Sequence, residues 1–246
     1  MALSVVVPVR DEAGNIAPLV HEICEALEGA CAFEIVYVDD GSNDGTAAEL
    51  ADAMRAFPRL RGFRHAQGLG QSAALRSGIL QAQGALIATL DGDGQNDPAD
   101  IPRLLDAFRA AGAPPALGMV AGERSERQDN ALRRLSSRIA NRFRGFLLHD
   151  GAADTGCGIK LLRREAFLAL PYFDHMHRFL PALMRREGYE ILFVPVGHRP
   201  RLRGRSKYGV FNRLWVGIVD LIGVIWLQRR CRGAHLIYER LDGIPQ

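Results

Sequence analysis

Two rhythms of apolar residues alternate along the first hundred positions. Leu3-Ser-Val-Val-Val-Pro-Val9 is a continuous apolar run rich in β-branched residues, the pattern of a strand buried on both faces. Between Asp11 and Leu27 the apolar positions are Ile16, Leu19, Val20, Ile23 and Leu27, one face of a helix, with Asp11 and Asn15 as candidate caps. The alternation repeats. Phe33–Val38 predicts a strand and Thr46–Phe57 a helix; Leu60–Arg64 predicts a strand and Gly70–Gln83 a helix; Ala85–Leu90 predicts a fourth strand. Strands that alternate with helices imply an α/β fold, with a mostly parallel sheet covered on both faces. In such sheets ligands bind beyond the carboxyl ends of the strands.

The second half is less regular. Ala116–Val120 and Ile191–Val196 read as strands, Gly122–Asn130 as a polar loop and Leu132–Leu148 as a basic amphipathic helix. Leu214–Leu227 is an apolar run broken only by Asp220; it is short for a membrane span and fits a buried or interfacial helix. No repeat or linker divides the chain.

Charge changes this picture in one place. The formal net charge of the 246-residue chain is only +3, yet Arg199–Arg232 holds nine basic residues and one acid. That segment carries +8 and leaves about −5 for the remainder, so an anionic partner is expected there: phosphate, anionic lipid or nucleic acid. Beside an apolar run, a basic segment reads as a membrane-surface anchor; a solvated face is the plainer reading. Aromatics for base stacking are sparse in it, which argues against nucleic acid. The four cysteines form no C-x-x-C pair, so no zinc site is signalled and a reducing compartment is expected. The chain opens directly into a strand-like run, and no secretory signal is read.

The candidate chemistry gathers at the predicted strand ends. Asp91-Gly-Asp93-Gly-Gln95 follows the fourth strand, and two carboxylates two residues apart can share one hard divalent cation. An Asp/Gly turn without a ligand is the plain alternative. Asp39-Asp40-Gly41-Ser42-Asn43-Asp44 follows the second strand; a carboxylate there can accept from a ribose or a nucleobase N–H, and a cap on the next helix explains some of these residues but not the doublet. Pro8-Val-Arg-Asp-Glu12 closes the first strand, where Glu12 can also be a first-turn acid favoured by the helix dipole.

Taken together, Val5–Glu12, Val38–Thr46, Gly70–Gly78 and Asp91–Pro98 resemble the nucleotide-sugar half of family 2 glycosyltransferases, whose fold is the Rossmann-like GT-A domain. Gly122-Glu-Arg124, Arg133–Arg138, Asp154-Thr-Gly156, Lys160–Glu165 and Arg201–Tyr208 are similar to the dolichyl-phosphate mannose synthases and their bacterial polyprenyl-phosphate relatives. The resemblance implies a glycosyltransferase domain over 1–210, with a donor half at 1–100 and an acceptor half at 115–210, followed by a C-terminal apolar helix and basic tail at 211–246. It implies that Pro8, Arg10, Glu12, Asp39, Asp40 and Asp91 surround the donor nucleotide. Asp91, Asp93 and Gln95 would hold Mg²⁺ or Mn²⁺. Arg124, Arg134 and Ser137 would meet the acceptor phosphate, joined by Arg201 and Lys207. Asp93, Arg124 and Arg134 are the implied catalytic residues. The expected partners are a nucleotide-sugar, a polyprenyl phosphate and a membrane surface, with no nucleic acid, at the cytoplasmic face of the membrane or in the cytoplasm.

Two departures stand out. Arg10 and Gly68 occupy positions where relatives often have an aromatic or aliphatic residue and an asparagine, and Gly156-Cys157-Gly158 replaces a common Gly-Asp or Gly-Ser. Many relatives also carry two or more membrane helices. The expected transfer goes to an acceptor phosphate, already anionic, with inversion and without a general base. No histidine is assigned to catalysis, since His65, His149, His175, His177 and His198 have no evident partner in sequence. The loop at 122–130 is expected to close over the donor. A soluble saccharide or protein acceptor would require a base, for which Asp154 is the candidate. An oxidoreductase would need G-x-G-x-x-G in the first turn, which is here acidic and poor in glycine.

Overall fold

The computed structural model describes residues 3–124, 144–145, 147–152, 154–197, 199–200 and 210–230. Seven strands form one sheet: β1 Leu3–Val9, β2 Phe33–Asp39, β3 Leu60–Arg64, β4 Leu86–Thr89, β5 Leu117–Arg124, β6 Lys160–Arg163 and β7 Glu190–Val196, in the order β3-β2-β1-β4-β6-β5-β7. All neighbours are parallel except β6, which runs against both β4 and β5. The helices are α1 Ile16–Leu27, α2 Thr46–Ala56, α3 Gln71–Gln81, α4 Asp100–Ala110, α5 Arg164–Leu168, α6 Leu180–Arg186 and α7 Val210–Arg230, with one 3₁₀ turn at Met176–Arg178.

Strand periodicity divides the core. Along β1, Val5, Val7 and Val9 join a cluster with α1, α2 and α4, whereas Val6 joins a second cluster with α3, α5, α6 and α7. A strand buried on both faces must be apolar throughout, which is why β1 reads as an unbroken run rather than an alternation. On the second face α3 lies close to the sheet through Gly78, where a Cβ would fall 2.5 Å from Val6 Cγ1.

The expected strands and helices of the first hundred residues are present with ends displaced by a few residues, the largest shift being α1, which starts at Ile16. Asn15 does precede α1, but its side chain donates to Glu12 Oε2 (2.7 Å) instead of capping the helix. Asp11 accepts from the Asn43 N–H across to the next loop.

α7 carries the apolar run, buried on one face and exposed on the other. Val224 is fully buried, with Leu221, Ile225 and Leu227 packed beside it on the second cluster. Ile218, Val219, Ile222 and Trp226 form an outward stripe, each at least 40 % exposed. The helix is also latched by polar contacts: Arg186 Nε donates to the Leu227 carbonyl (3.1 Å), and Asp220, the lone acid in the run, lies 3.1 Å from His175 Nδ1. No helix among the described residues is long and apolar enough to cross a membrane.

Candidate active site

The first two strand ends are stitched into one ledge. Beyond β1 the backbone turns at Asp11 (φ 49°), and the following N–H groups find acceptors across the β2–α2 loop. Asp11 N–H donates to Ser42 Oγ (2.8 Å), Glu12 N–H to Thr46 Oγ1 (2.9 Å), Ala13 N–H to Asp44 Oδ2 (3.2 Å) and Gly14 N–H to Glu49 Oε2 (2.5 Å). These loops lack a sheet ladder, so side chains supply the partners that their amides require.

Asp39 and Asp40 face different tasks. Asp39 is fully buried; its Oδ1 accepts from the Ser42 N–H (2.9 Å) and hydroxyl (2.5 Å). Its Oδ2 has no hydrogen bond, although Arg64 Nε lies 3.1 Å away. Asp40 instead clasps the 65–70 loop, accepting from the N–H groups of Leu69 and Gly70 (2.8 Å each) and from His65 Nδ1 (2.8 Å). Burial alone favours the neutral acid, but these hydrogen bonds outweigh it and hold the carboxyl below its usual range. The loop passes so close that a Cβ on Gly41 (φ 67°) would strike the backbone of Gln67 and Gly68 at 2.6 Å.

The two departures at 10 and 68 prove to be neighbours. A Cβ on Gly68 would lie 2.1 Å from Arg10 NH1, so the arginine occupies the space that a side chain at 68 would fill. The guanidinium is 45 % exposed and lies 4.0 Å from Asp40.

The third group of acids follows β4. Asp91 opens onto a cleft of about 390 Å³ lined also by Pro8, Gln71, Gly158, Lys160, His177 and Arg178. Gln71 Nε2 donates to Asp91 Oδ1 (2.8 Å), and the Gln95 N–H donates to Asp93 Oδ1 (3.1 Å). Burial, and then the neighbouring Asp93 carboxylate, raise the Asp91 pKa; Lys160 pulls it the other way. Lys160 is itself buried, its own pKa lowered by burial, and its ammonium donates to the Cys157 carbonyl. Gly158 makes the arrangement possible, since a Cβ there would sit 2.2 Å from Asp91 Oδ2.

A divalent cation fits this chemistry. Two hard oxygen donors of like charge are held near each other at low solvent exposure, and a cation relieves their repulsion. Among the described residues no third His, Cys, Asp or Glu completes a metal cage. Mg²⁺ and Mn²⁺ tolerate this, because water and substrate phosphates fill their remaining positions. Gln95 is tied into the loop by its backbone, whose carbonyl accepts from the Arg199 N–H (3.0 Å).

β1 separates β2 from β4, so Asp39 and Asp91 lie about 10 Å apart by strand spacing, on one edge of the sheet. Pro8 and Glu12 lie between them, at the end of β1 and in the loop that follows it. Arg124, at the end of β5, forks onto Asp154 with contacts of 2.5 and 2.9 Å, and the Gly156 N–H donates to the same carboxylate (3.1 Å). Arg134, Ser137, Arg201, Lys207, the expected helix over most of 132–148 and most of the 122–130 loop lie outside the described residues.

Four cleft residues had no assigned role in the sequence: Gln71, Lys160, His177 and Arg178. Lys160 carried a faint signal, a lysine directly before the apolar pair Leu161-Leu162 of β6. The others did not, because their partners are distant; His177 Nδ1 meets Ser72 Oγ (2.8 Å) across 105 residues.

Comparison with known proteins places the chain in a family. Dodecaprenyl-phosphate galacturonate synthase of Rhizobium johnstonii is 35 % identical over 96 % of this chain and 70 % of its own length. Undecaprenyl-phosphate 4-deoxy-4-formamido-L-arabinose transferase of Pseudomonas aeruginosa (strain LESB58) is 37 % identical over 86 % of this chain and 62 % of its own. The chain thus spans about two thirds of the length of these curated relatives. In fold it is similar to glucosyl-3-phosphoglycerate synthase of Mycobacterium tuberculosis, crystallised with Mn²⁺, UDP and phosphoglyceric acid (TM-score 0.67, 18 % identity, 94 % of this chain and 79 % of that one). It is likewise similar to mannosyl-3-phosphoglycerate synthase of Rubrobacter xylanophilus (TM-score 0.66, 18 % identity, 100 % and 79 %). Residues 4–170, more than half of the sequence, match the family described as "Glycosyl transferase family 2", and the chain is a glycosyltransferase belonging to that family.

Proposed function

We propose that this enzyme transfers a sugar from a nucleoside diphosphate to a polyprenyl phosphate, with inversion at the anomeric carbon and with Mg²⁺ or Mn²⁺. The observation that carries the reading is the Asp91–Asp93 pair at the end of β4, of which Asp91 opens on a cleft whose described lining holds no other acid. A phosphate acceptor is already anionic and needs no base. Asp154, the candidate base for a hydroxyl acceptor, has both oxygens engaged by Arg124 and Gly156. The names of the relatives from Rhizobium johnstonii and Pseudomonas aeruginosa favour the same acceptor class.

In this reading the ledge holds the nucleotide. Asp39 Oδ2, without a hydrogen bond, is an acceptor for a nucleobase N–H; Pro8, Arg10 and Glu12 line the path; Asp40 fixes the 65–70 loop that closes that side. Asp91 and Asp93 would hold the cation, with Gln95 beside them. When bound, the cation supplies charge neutralisation for the leaving diphosphate. Gln71 holds the Asp91 carboxylate by a hydrogen bond, and the nearby charge of Lys160 favours its ionised form. An acceptor phosphate oxygen attacks the anomeric carbon while the bond from that carbon to the diphosphate breaks, and the diphosphate leaves with the electron pair. Arg134, Ser137, Arg201 and Lys207 are proposed for the acceptor phosphate, and Arg124 acts on it through the Asp154–Gly156 turn. Catalysis then rests on positioning and electrostatics.

The outward stripe of α7 supports a membrane-surface role, since Trp226 and Ile222 sit on its exposed apolar face. Two experiments test the proposal. Radiolabelled UDP- and GDP-sugars offered with Mn²⁺ and undecaprenyl phosphate should yield label in the organic phase; label that stays aqueous in every combination rejects the acceptor class. The full chain should co-sediment with anionic vesicles, and Trp226→Glu should weaken this severalfold; equal sedimentation of the two proteins rejects α7 as the contact.

A further inference from the structure

We infer that Arg178 receives the phosphate monoester of the acceptor, with His177 beside it as a fixed N–H donor. This rests on the proposed transfer to a phosphate and adds a residue to which neither the sequence nor the family resemblance assigned a role.

The argument starts from charge inside the cleft. Its described lining holds one acid, Asp91, and three basic side chains: Lys160, His177 and Arg178. Two of the three have partners. Lys160 donates to the Cys157 carbonyl, and His177 is fixed to Ser72. Arg178 is partly buried, and no carboxylate among the described residues pairs with its guanidinium. Arg124, by contrast, is held on Asp154. An arginine partly desolvated and without a counter-ion among the described residues is suited to receive an anion, and its planar fork matches a phosphate. The donor diphosphate already has a place at the Asp91–Asp93 end. Arg178 comes from the opposite side, at the 3₁₀ turn before α6, on the second face of the sheet.

His177 is prepared as a donor. The Ser72 hydroxyl oxygen accepts the His177 backbone N–H (3.3 Å) and lies 2.8 Å from Nδ1. Having accepted from the amide, the hydroxyl can give its own proton to Nδ1, which leaves Nε2 as the protonated nitrogen. Burial first, and then the charges of Arg178 and Lys160, push the His177 pKa down to about 3, so the ring stays neutral. A neutral ring donates one proton from a fixed direction and adds no net charge.

The turn is also joined to α7. His175, in the left-handed region (φ 64°), lies 3.1 Å from Asp220 on that helix. The element that presents Arg178 is therefore held against the helix whose other face is an exposed apolar stripe. A lipid phosphate arriving along α7 would meet this wall of the cleft first.

The test compares four probes on the wild type and two variants: farnesyl phosphate, farnesol, 3-phosphoglycerate, and UDP or GDP with Mn²⁺. Wild type should bind farnesyl phosphate more tightly than farnesol. Arg178→Gln should weaken farnesyl phosphate roughly 10- to 100-fold and narrow its advantage over farnesol by the same factor, while the thermal shift from nucleotide and Mn²⁺ stays unchanged. Arg178→Lys should fall between, keeping the charge and losing the fork, and it guards against a variant that merely misfolds. A glutamine variant that keeps the full wild-type preference for farnesyl phosphate overturns the inference. So does one that loses the nucleotide shift in parallel, which would place Arg178 on the donor. If wild type prefers 3-phosphoglycerate and that binding depends on Arg178, the phosphate-receiving role stands and the polyprenyl reading falls. If wild type binds neither phosphate better than farnesol, both fall.

Discussion

The ledge beyond β1 and β2 and the acidic turn beyond β4 look alike in sequence, each a cluster of aspartates beside glycine, yet their carboxylates do opposite things. On the ledge, oxygens of Asp11, Asp40, Asp44 and Glu49 accept backbone N–H groups, and these bonds stabilise Asp40 and Asp44 as anions. After β4, burial and a second carboxylate raise the Asp91 pKa, so the fold disfavours its charge. The difference teaches that the number of acids at a strand end says little about chemistry. What separates scaffold from reaction centre is whether the fold satisfies the charge or leaves it to a ligand.

The sharpest way to break this comparison is Asp93→Ala. It should lower transfer by about a thousandfold or more and abolish the thermal shift that Mn²⁺ adds to nucleotide binding. The melting temperature without metal should hold or rise, because Asp91 loses its repulsive neighbour. A surviving Mn²⁺-dependent shift rejects the metal assignment.

Arg124→Ala should come next in stability terms. It leaves Asp154 buried without its partner, at a cost of about 3 kcal/mol, read from urea unfolding. Arg124→Met combined with Asp154→Leu should recover most of that loss; no recovery would mean that Arg124 contributes through contacts other than the ion pair.

Asp40→Asn is the smallest change and tests the scaffold side. It should cost about 2 kcal/mol at pH 7 through lost charge-assisted hydrogen bonds, with the Mn²⁺ response intact. The Asp40 pKa is depressed in the folded state, so its contribution is present above the unfolded carboxylate value of about 4 and is lost as pH falls through the lower folded value. The gap between wild type and Asp40→Asn should therefore narrow below about pH 4. A gap independent of pH would show that shape, rather than charge, holds the 65–70 loop.

Much of the fold was legible in the residues. β1 and β2 declared themselves through unbroken β-branched runs, and α1 through its five buried positions, all of which face the core. α4 does not stand out in the sequence, although Ile101, Leu104, Leu105 and Phe108 are helically spaced and buried, because Pro98 and Pro102 punctuate its start like a turn. β6 was missed for a physical reason: a strand of four residues beginning with lysine carries too short a pattern to stand out. In the site, the Asp91–Asp93 pair was legible from its spacing after a strand, whereas the separate fates of Asp39 and Asp40 were not.

The sequence by itself determined the strand–helix alternation, the parallel class of the sheet and the position of acids at its carboxyl edge, because periodicity and burial act over a few residues at a time. Only the tertiary structure decided that Asp40 serves the 65–70 loop, that Arg10 fills the space left by Gly68, and that His177 and Arg178 reach the cleft of Asp91. Those outcomes depend on contacts between residues 25 to 105 positions apart, which are set by strand order and by the fit of one loop against another. Local pattern carries no record of such partners until the chain has closed around them.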